Sequence, residues 1–268
     1  MKKLRIIPVL ILRYGEIVQS YNFESYKVTG NALKVIDRFS KWDADEVIYL
    51  DISTKGNQKV ERQDLNSTKI MNREELISEV AKRSTMPLTF GGGLKSLQDI
   101  EHTILLGADK VSINSLLIED ADVVRKAVRS LGSQAIVASV DYRLVGGKRM
   151  VWNPSQRAIT NLELISWIRN ITDLGVGEIL LTCVDNDGAK SGYDLETLKE
   201  VCKVTTLPVI ANGGVGQWGH LKEGFDAGAE AVAAANVFHF YDQSIYQARR
   251  FLFDSGLPVR KPTLSRIM

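Results

Sequence analysis

Short apolar runs alternate with longer segments of helical period along the whole chain. The runs span Leu4–Ile11, Glu46–Ile52, Pro87–Phe90, Lys110–Ile113, Ala135–Val140, Glu178–Thr182, Pro208–Ala211 and Ala231–Ala235. Between and after them, Asn31–Asp43, Arg73–Arg83, Leu97–Leu106, Ala121–Leu131, Leu162–Leu174, Leu195–Lys203, Gln217–Ala227 and Ser244–Phe253 carry apolar residues at helical spacing. Runs that are apolar throughout, rather than alternating, fit parallel strands covered on both faces by crossover helices. Eight β–α units in strict order predict an α/β protein that is a closed (β/α)8 barrel, a TIM barrel filling residues 1–268 as one domain; an open doubly wound sheet is the alternative.

The pattern also repeats within the chain. Met86–Gly93 matches Leu207–Gly214, and the same offset carries Gly107 onto Gly228, Ala108 onto Ala229 and Ser115 onto Asn236. Ile6-Ile7 likewise matches Ile136-Val137, with Ile11 falling on Asp141, and Glu46-Val47-Ile48 matches Glu178-Ile179-Leu180. Two similar half-barrels of four units each account for this, and they predict two equivalent anion sites across the barrel mouth.

Composition narrows the partners. Hydrophobic residues at 44% supply an ordinary globular core, and a formal net charge of +2 is too small to point to nucleic acid or an anionic membrane. No basic cluster with interleaved aromatics appears, and no apolar run reaches the ~18 residues of a membrane span. Lys2 and Lys3 before an apolar run mimic a signal peptide, but Arg5 and Pro8 interrupt it and no small-residue cleavage site follows. Cys183 and Cys202 form neither a disulfide framework nor a zinc motif, so a reduced cytoplasmic setting, with no metal or cofactor, is expected.

The candidate chemistry sits at strand ends. Gly91-Gly92-Gly93 and Gly213-Gly214 each follow a strand and precede a helix, where glycine lets backbone N–H groups approach a phosphate. Asn114-Ser115 and Asn236-Val237, after the fourth and eighth strands, would complete each cradle beside a helix start. Tight βα turns alone would also call for these glycines, yet two symmetry-related copies favour phosphate binding and a ligand with a phosphate at each end. Asp141 closes the fifth strand, and Asp185 and Asp187 follow the sixth in Asp185-Asn186-Asp187-Gly188. A carboxylate there can move a proton or orient a hydroxyl, although Asp187-Gly188 is also ordinary turn chemistry. At the opposite ends, Arg5, Glu46, Lys110 and Glu178 can close an ion-pair ring, which on residue type alone reads as a stability feature. His102, His220 and His239 lack ligand spacing and read as packing or surface residues.

With these residues in place the chain resembles the cyclase subunit of imidazole glycerol phosphate synthase, HisF. The similarity runs from Arg5-Ile6-Ile7-Pro8 to Phe238-His239-Phe240 and is densest at Gly107–Asn114, Gly132–Ala135, Gly177–Thr182 and Asp187–Asp194. The resemblance implies a glutamine amidotransferase. A glutaminase subunit (HisH-like) docks as a heterodimer at the barrel bottom, and ammonia crosses the barrel to a ribulosyl substrate phosphorylated at both ends. It makes Arg5, Glu46, Lys110 and Glu178 the ammonia gate, puts Asp109 at the glutaminase interface, and makes Asp141 catalytic, with Gly92, Gly93, Asn114, Ser115, Asp187, Gly188, Gly213, Gly214 and Asn236 binding the substrate or its phosphates. The family pairs Asp141 with an aspartate at the end of the first strand, and here that position is Ile11. Gln19 stands where the family's first loop carries a lysine, and Asn212 and Asn236 replace small serines of the second phosphate site. A kept gate with a lost base resembles barrel subunits that supply ammonia to sugar-modifying enzymes for lipopolysaccharide or flagellar glycans. An orthodox histidine-biosynthesis cyclase with a substitute base, and a non-catalytic activator of the glutaminase, are the other readings.

Overall fold

In the computed structural model, residues 3–53, 72–240 and 242–263 are described, the side chain of Phe240 excepted; Lys2 of the charged start lies outside them. The strands are β1 Arg5–Arg13, β2 Glu16–Tyr21, β3 Ser25–Asn31, β4 Val47–Asp51, β5 Leu88–Gly91, β6 Lys110–Ile113, β7 Ile136–Val145, β8 Lys148–Asn153, β9 Ala158–Glu163, β10 Glu178–Cys183, β11 Val209–Asn212 and β12 Ala231–Ala234. The helices are α1 Ala32–Lys41, α2 Arg73–Arg83, α3 Leu97–Leu105, α4 Ser115–Glu119, α5 Ala121–Leu131, α6 Leu164–Leu174, α7 Leu195–Val204, α8 Trp218–Asp226, α9 Val237–Phe240 and α10 Ser244–Asp254.

Eight of the strands run parallel in the order β10-β11-β12-β1-β4-β5-β6-β7, and pairing of β10 with β7 closes the ring. The closed (β/α)8 barrel is therefore the observed fold. Along β1 the two-residue period divides the side chains between two cores. Ile7, Val9 and Ile11 join Ile48, Val137, Leu180 and Ile210 in a small apolar cluster in the lumen, whereas Ile6, Leu10 and Leu12 pack in the larger core under the helices. Burial on both faces is why these runs do not alternate.

Two antiparallel additions were absent from the sequence pattern as read above. The hairpin β2–β3 continues β1, and β8–β9 continue β7. Each begins with a two-residue turn whose residues both have positive φ, Tyr14 (53°) and Gly15 (82°) in one, Gly146 (55°) and Gly147 (78°) in the other. Such turns match the right-handed twist of the flanking strands. Both additions extend the first strand of a half-barrel and lie over the carboxyl ends of the strands, so the two-fold repeat reaches beyond the barrel wall.

At the opposite end Arg249 of α10, fully buried, pairs with Asp43 (2.7 Å) and Asp45 (3.0 Å). Arg260 meets the same two carboxylates, which ties the C-terminal segment to the loop before β4.

Candidate functional site

The carboxyl ends of the barrel strands open into a cavity of about 680 Å³ roofed by the β2–β3 hairpin and flanked by β8. Asp141 of β7 and Ile11 of β1 both line it. The Asp141 side chain is buried and accepts a hydrogen bond from Asn114 Nδ2 at 2.8 Å. Burial drives its carboxyl up to about 7, against the hydrogen bonds of Asn114 and Thr182, and the negative charge of Asp187 adds to the rise. Such a group exchanges its proton near neutral pH, where general acid–base chemistry is most effective. Ile11 belongs to the lumen cluster and offers no proton to share.

Asp187 and Gly188 are the central pair of a turn, as their sequence suggested, in which Ala189 N donates to the Asn186 carbonyl at 3.1 Å, and the Asp187 carboxylate has a second task. Its buried Oδ2 accepts from Ser20 Oγ at 2.6 Å and from Phe23 N at 3.4 Å, while its carbonyl accepts from Asn22 N at 3.1 Å. It is thus the point at which the hairpin is fastened over the cavity, and burial raises its carboxyl above the usual range. Gly188 is required beside it, since a Cβ there would fall 2.7 Å from the Tyr21 ring. Asp185 lies off the cavity and accepts from Leu144 N at 2.8 Å. Gln19 is buried on β2 on the face opposite Ser20, and its Nε2 has no hydrogen-bond partner among the described residues.

The glycine loops stand where the repeat places them. A Cβ on Gly92 would lie 1.9 Å from the Asp51 carbonyl oxygen, and one on Gly214 2.0 Å from that of Gly192, so both loops need glycine for close approach as well as for positive φ. Gly92, Gly93, Gly213 and Gly214 all face the cavity, with Ser115 at the start of α4. The other candidate ligands are engaged within the protein. Asn114 holds Asp141, Asn212 Nδ2 donates to Thr182 Oγ1 at 3.1 Å, and Asn236 Nδ2 donates to the Ser20 carbonyl at 3.4 Å.

At the amino ends of the strands the four charged residues close a ring. Arg5 Nη1 lies 2.5 Å from Glu46 and 3.1 Å from Glu178, and Lys110 Nζ lies 3.0 Å from Glu46 and 2.9 Å from Glu178. Burial would lower the Arg5 pKa, but the two glutamates hold it above its usual value. Asp109, exposed beside the ring, accepts from Leu88 N at 2.8 Å, and Leu105 at the end of α3 is 83% exposed nearby in sequence. His239 is half-buried and pushed down to about 4 by burial and by Arg38, while His220 Nδ1 accepts from Gly216 N at 3.2 Å and steadies the second glycine loop. His102 sits at the surface, 3.2 Å from Glu74. No cluster of three potential metal ligands occurs among the described residues.

Sequence reasoning missed several cavity residues. Arg13, at the end of β1, lies with its guanidinium 4.7 Å from the Tyr26 ring centre and 5.5 Å from that of Tyr14. Arg157 and Lys95 also line the cavity. For Arg13 and Lys95 the signal available was position at the carboxyl end of a barrel strand, whereas Arg157 lies between β8 and β9 and had none.

These features define a (β/α)8 barrel of the enzyme kind, with its chemistry at the carboxyl ends of its strands. The family model described as "Histidine biosynthesis protein" matches residues 5–244. Relatives named imidazole glycerol phosphate synthase subunit HisF include that of Chlorobium phaeobacteroides, 39% identical over 257 residues, covering 96% of this chain and 98% of the relative. Those of Chlorobaculum parvum (38%; 96% and 98%) and Gluconacetobacter diazotrophicus (38%; 97% and 97%) are similar over equal extents. The chain belongs to the histidine biosynthesis family and, within it, to the HisF subunits.

Proposed function

We propose that this chain is the synthase side of a glutamine amidotransferase and that it delivers ammonia to an acceptor other than the one cyclised in histidine biosynthesis. A glutaminase subunit docks at the charged ring, with Asp109 at the interface, and ammonia enters there. The lumen above the ring is lined by Ile7, Val9, Ile48, Val137 and Leu180. An apolar passage of this kind favours neutral ammonia over ammonium, whose desolvation is far more costly. The passage requires the ring to part, and Lys110, a flexible chain with a single ammonium group, is the member best able to swing aside.

Ammonia arriving at the cavity meets Asp141, which can take up the proton released as nitrogen attacks an electrophilic carbon. Asn114 and Thr182 orient that carboxyl. Cyclisation with lysis needs a second group to return a proton on the opposite face, and Ile11 occupies that place. The observation that carries the proposal is this pairing of a complete ring below with, above it, an Asp141 whose partner position at the end of β1 is Ile11. Amidation of a small phosphorylated sugar for surface-glycan synthesis, completed by a sugar-modifying enzyme, requires only the proton acceptor that remains. A reducing cytoplasm suits the two free cysteines.

One observation favours a second reading. Asp187 is close enough to Asp141 to raise its pKa, and burial raises its own carboxyl in turn, so it is the group placed to replace the missing acid in an orthodox cyclase. The purified chain, supplied with the ribulosyl substrate of histidine biosynthesis and ammonium salt, separates the two, with Ile11→Asp and Asp187→Asn variants alongside. We expect negligible cyclisation by the unaltered chain. Turnover near that of HisF subunits, lost in Asp187→Asn, would establish the second reading and overturn the first.

A further inference from the structure

Side chains alternate along a strand, so the lumen face of β1 carries Arg5, Ile7, Val9, Ile11 and Arg13. Arg5 at its start is matched by two glutamates. Arg13 at its end stands in the cavity wall, two residues or about 7 Å of strand beyond Ile11. Its guanidinium lies 4.7 Å from the Tyr26 ring centre and 5.5 Å from that of Tyr14. It makes no hydrogen bond or ion pair among the described residues, and Glu16, opposite it across the turn, does not pair with it. Aromatic faces hold a guanidinium in place without using its N–H groups, so the edge of the fork is left for a ligand.

The internal repeat makes this arginine informative. The offset that carries Ile11 onto Asp141 carries Arg13 onto Arg143, and each arginine stacks on a ring of the strands that follow it, Arg143 on Trp152 at 4.7 Å. There the likeness ends. Arg143 is not part of the cavity wall and uses its donors on the first hairpin and its surroundings. Its Nη2 donates to the Asn22 carbonyl at 3.0 Å, and its guanidinium pairs with Asp185 at 3.5 Å and Glu24 at 3.7 Å. Stacking alone would suit either position, yet the member of the pair that faces the cavity is the one without an acid.

The surroundings of Arg13 select the kind of anion. A phosphate dianion is held where several backbone amides or a helix start converge. β1 instead turns directly into β2, and Tyr14 N in that turn donates to Ser53 Oγ at 2.7 Å. The carboxylate on the neighbouring strand, Asp51 of β4, accepts from Ser53 N at 2.9 Å and leaves the fork open. A single guanidinium fork matches the two coplanar oxygens and single charge of a carboxylate.

We propose that Arg13 binds a carboxylate of the acceptor, which makes the acceptor a phosphorylated sugar acid. This rests on the proposed function for there being an acceptor at all, and it names a group on that acceptor which the glycine loops do not serve. The test uses no glutaminase, no ammonia and no turnover, so its failure leaves the ammonia passage standing.

The full chain is titrated by calorimetry with two pairs of probes that differ in one carboxyl, glucuronate 1-phosphate against glucose 1-phosphate and galacturonate 1-phosphate against galactose 1-phosphate. In at least one pair the acid should bind about tenfold more tightly, as one charge-assisted bidentate contact implies. Arg13→Met should abolish that preference and leave the neutral sugar phosphate within about twofold of its original affinity. Arg13→Lys keeps the charge but not the fork, and should keep a preference of about threefold or less. Circular dichroism checks folding of Arg13→Met; should that variant not fold, Arg13→Lys decides the matter. Equal affinities within both pairs, a preference untouched by substitution of Arg13, or no binding by either acid would each overturn the proposal.

Discussion

Removing the Lys110 charge, by Lys110→Met, probes the ring with little change of side-chain volume. The ring holds two cations and two anions, and each cation touches both carboxylates at 2.5–3.1 Å. Without the ammonium, Arg5 must serve Glu46 and Glu178 alone, and a largely buried site carries an uncompensated negative charge. Breaking such a network from one side costs about 3 kcal/mol, much of it the penalty on the charge left behind. For a chain of this size that lowers the melting temperature on the order of 8 °C. Adding Glu178→Gln restores neutrality, so the double variant should regain at least half of the loss. Urea denaturation of the wild type, both single variants and the double variant closes the cycle and gives the coupling directly. A loss below about 1 kcal/mol in Lys110→Met, the value of an exposed pair, would show that water already screens the ring. Simple additivity in the double variant would show that the four residues do not act as one network.

Two further outcomes follow from the cavity. The Asp141 carboxyl is held up at about 7 by burial, whereas an unfolded chain releases that proton near pH ~4. Between those values the folded form binds more protons, so stability falls as pH rises across the window and levels off above it. Asp141→Asn removes this loss, and its advantage over the wild type should grow by roughly 2–4 kcal/mol between about pH 4.5 and about pH 8; equal slopes in denaturation at the two pH values would refute the raised carboxyl. Ser20→Ala removes the 2.6 Å bond to Asp187 and should cost about 1–2 kcal/mol, with faster amide exchange across Ile17–Tyr21. Unchanged exchange there would mean that the Asn22 and Asn236 contacts hold the hairpin without it.

The eight barrel strands were legible because each is buried on both faces and reads as one apolar run. The hairpins were not, because β2 buries polar Gln19 and Ser20 along with Ile17 and Val18 and so does not read as an apolar run, and its partner strand is largely open to solvent. In Ser25–Asn31 no residue is fully buried. Gly146-Gly147 did carry a usable signal, a two-residue glycine turn between possible strands. The charged ring was legible in outline, since four strands begin with a charged residue, but whether the charges meet depends on barrel closure. Arg73, whose Nη2 donates to the Gly92 carbonyl at 2.7 Å behind the cavity wall, was not legible as a support of the first glycine loop. It precedes Gly92 by a whole helix, and only the βα fold brings its guanidinium to that carbonyl. The same holds for Asn114, whose contact with Asp141 depends on the pairing of β6 with β7.

The two ends of the barrel can be weighed against each other on physical grounds. An enclosed ion ring is weak evidence of stability, because apolar residues of similar volume commonly stabilise such a position as well or better. This chain demonstrates that its lumen accepts such a residue, since Ile11 packs among Val9, Val18 and Ile48 at the level of Asp141. If stability alone governed the lumen, the four charges at the bottom would have no advantage over an isoleucine-like filling. Their presence beneath an apolar column is therefore what the proposed function, admission of a small polar molecule at that end, would require. Ile11 in turn lengthens the column, and under the proposed function neutral ammonia would leave its apolar surroundings directly at Asp141. One carboxyl that titrates near neutrality is sufficient to accept the proton of an attacking amine. Cyclisation with lysis needs two, and under the proposed function this chain keeps the passage while Ile11 takes the place of the second.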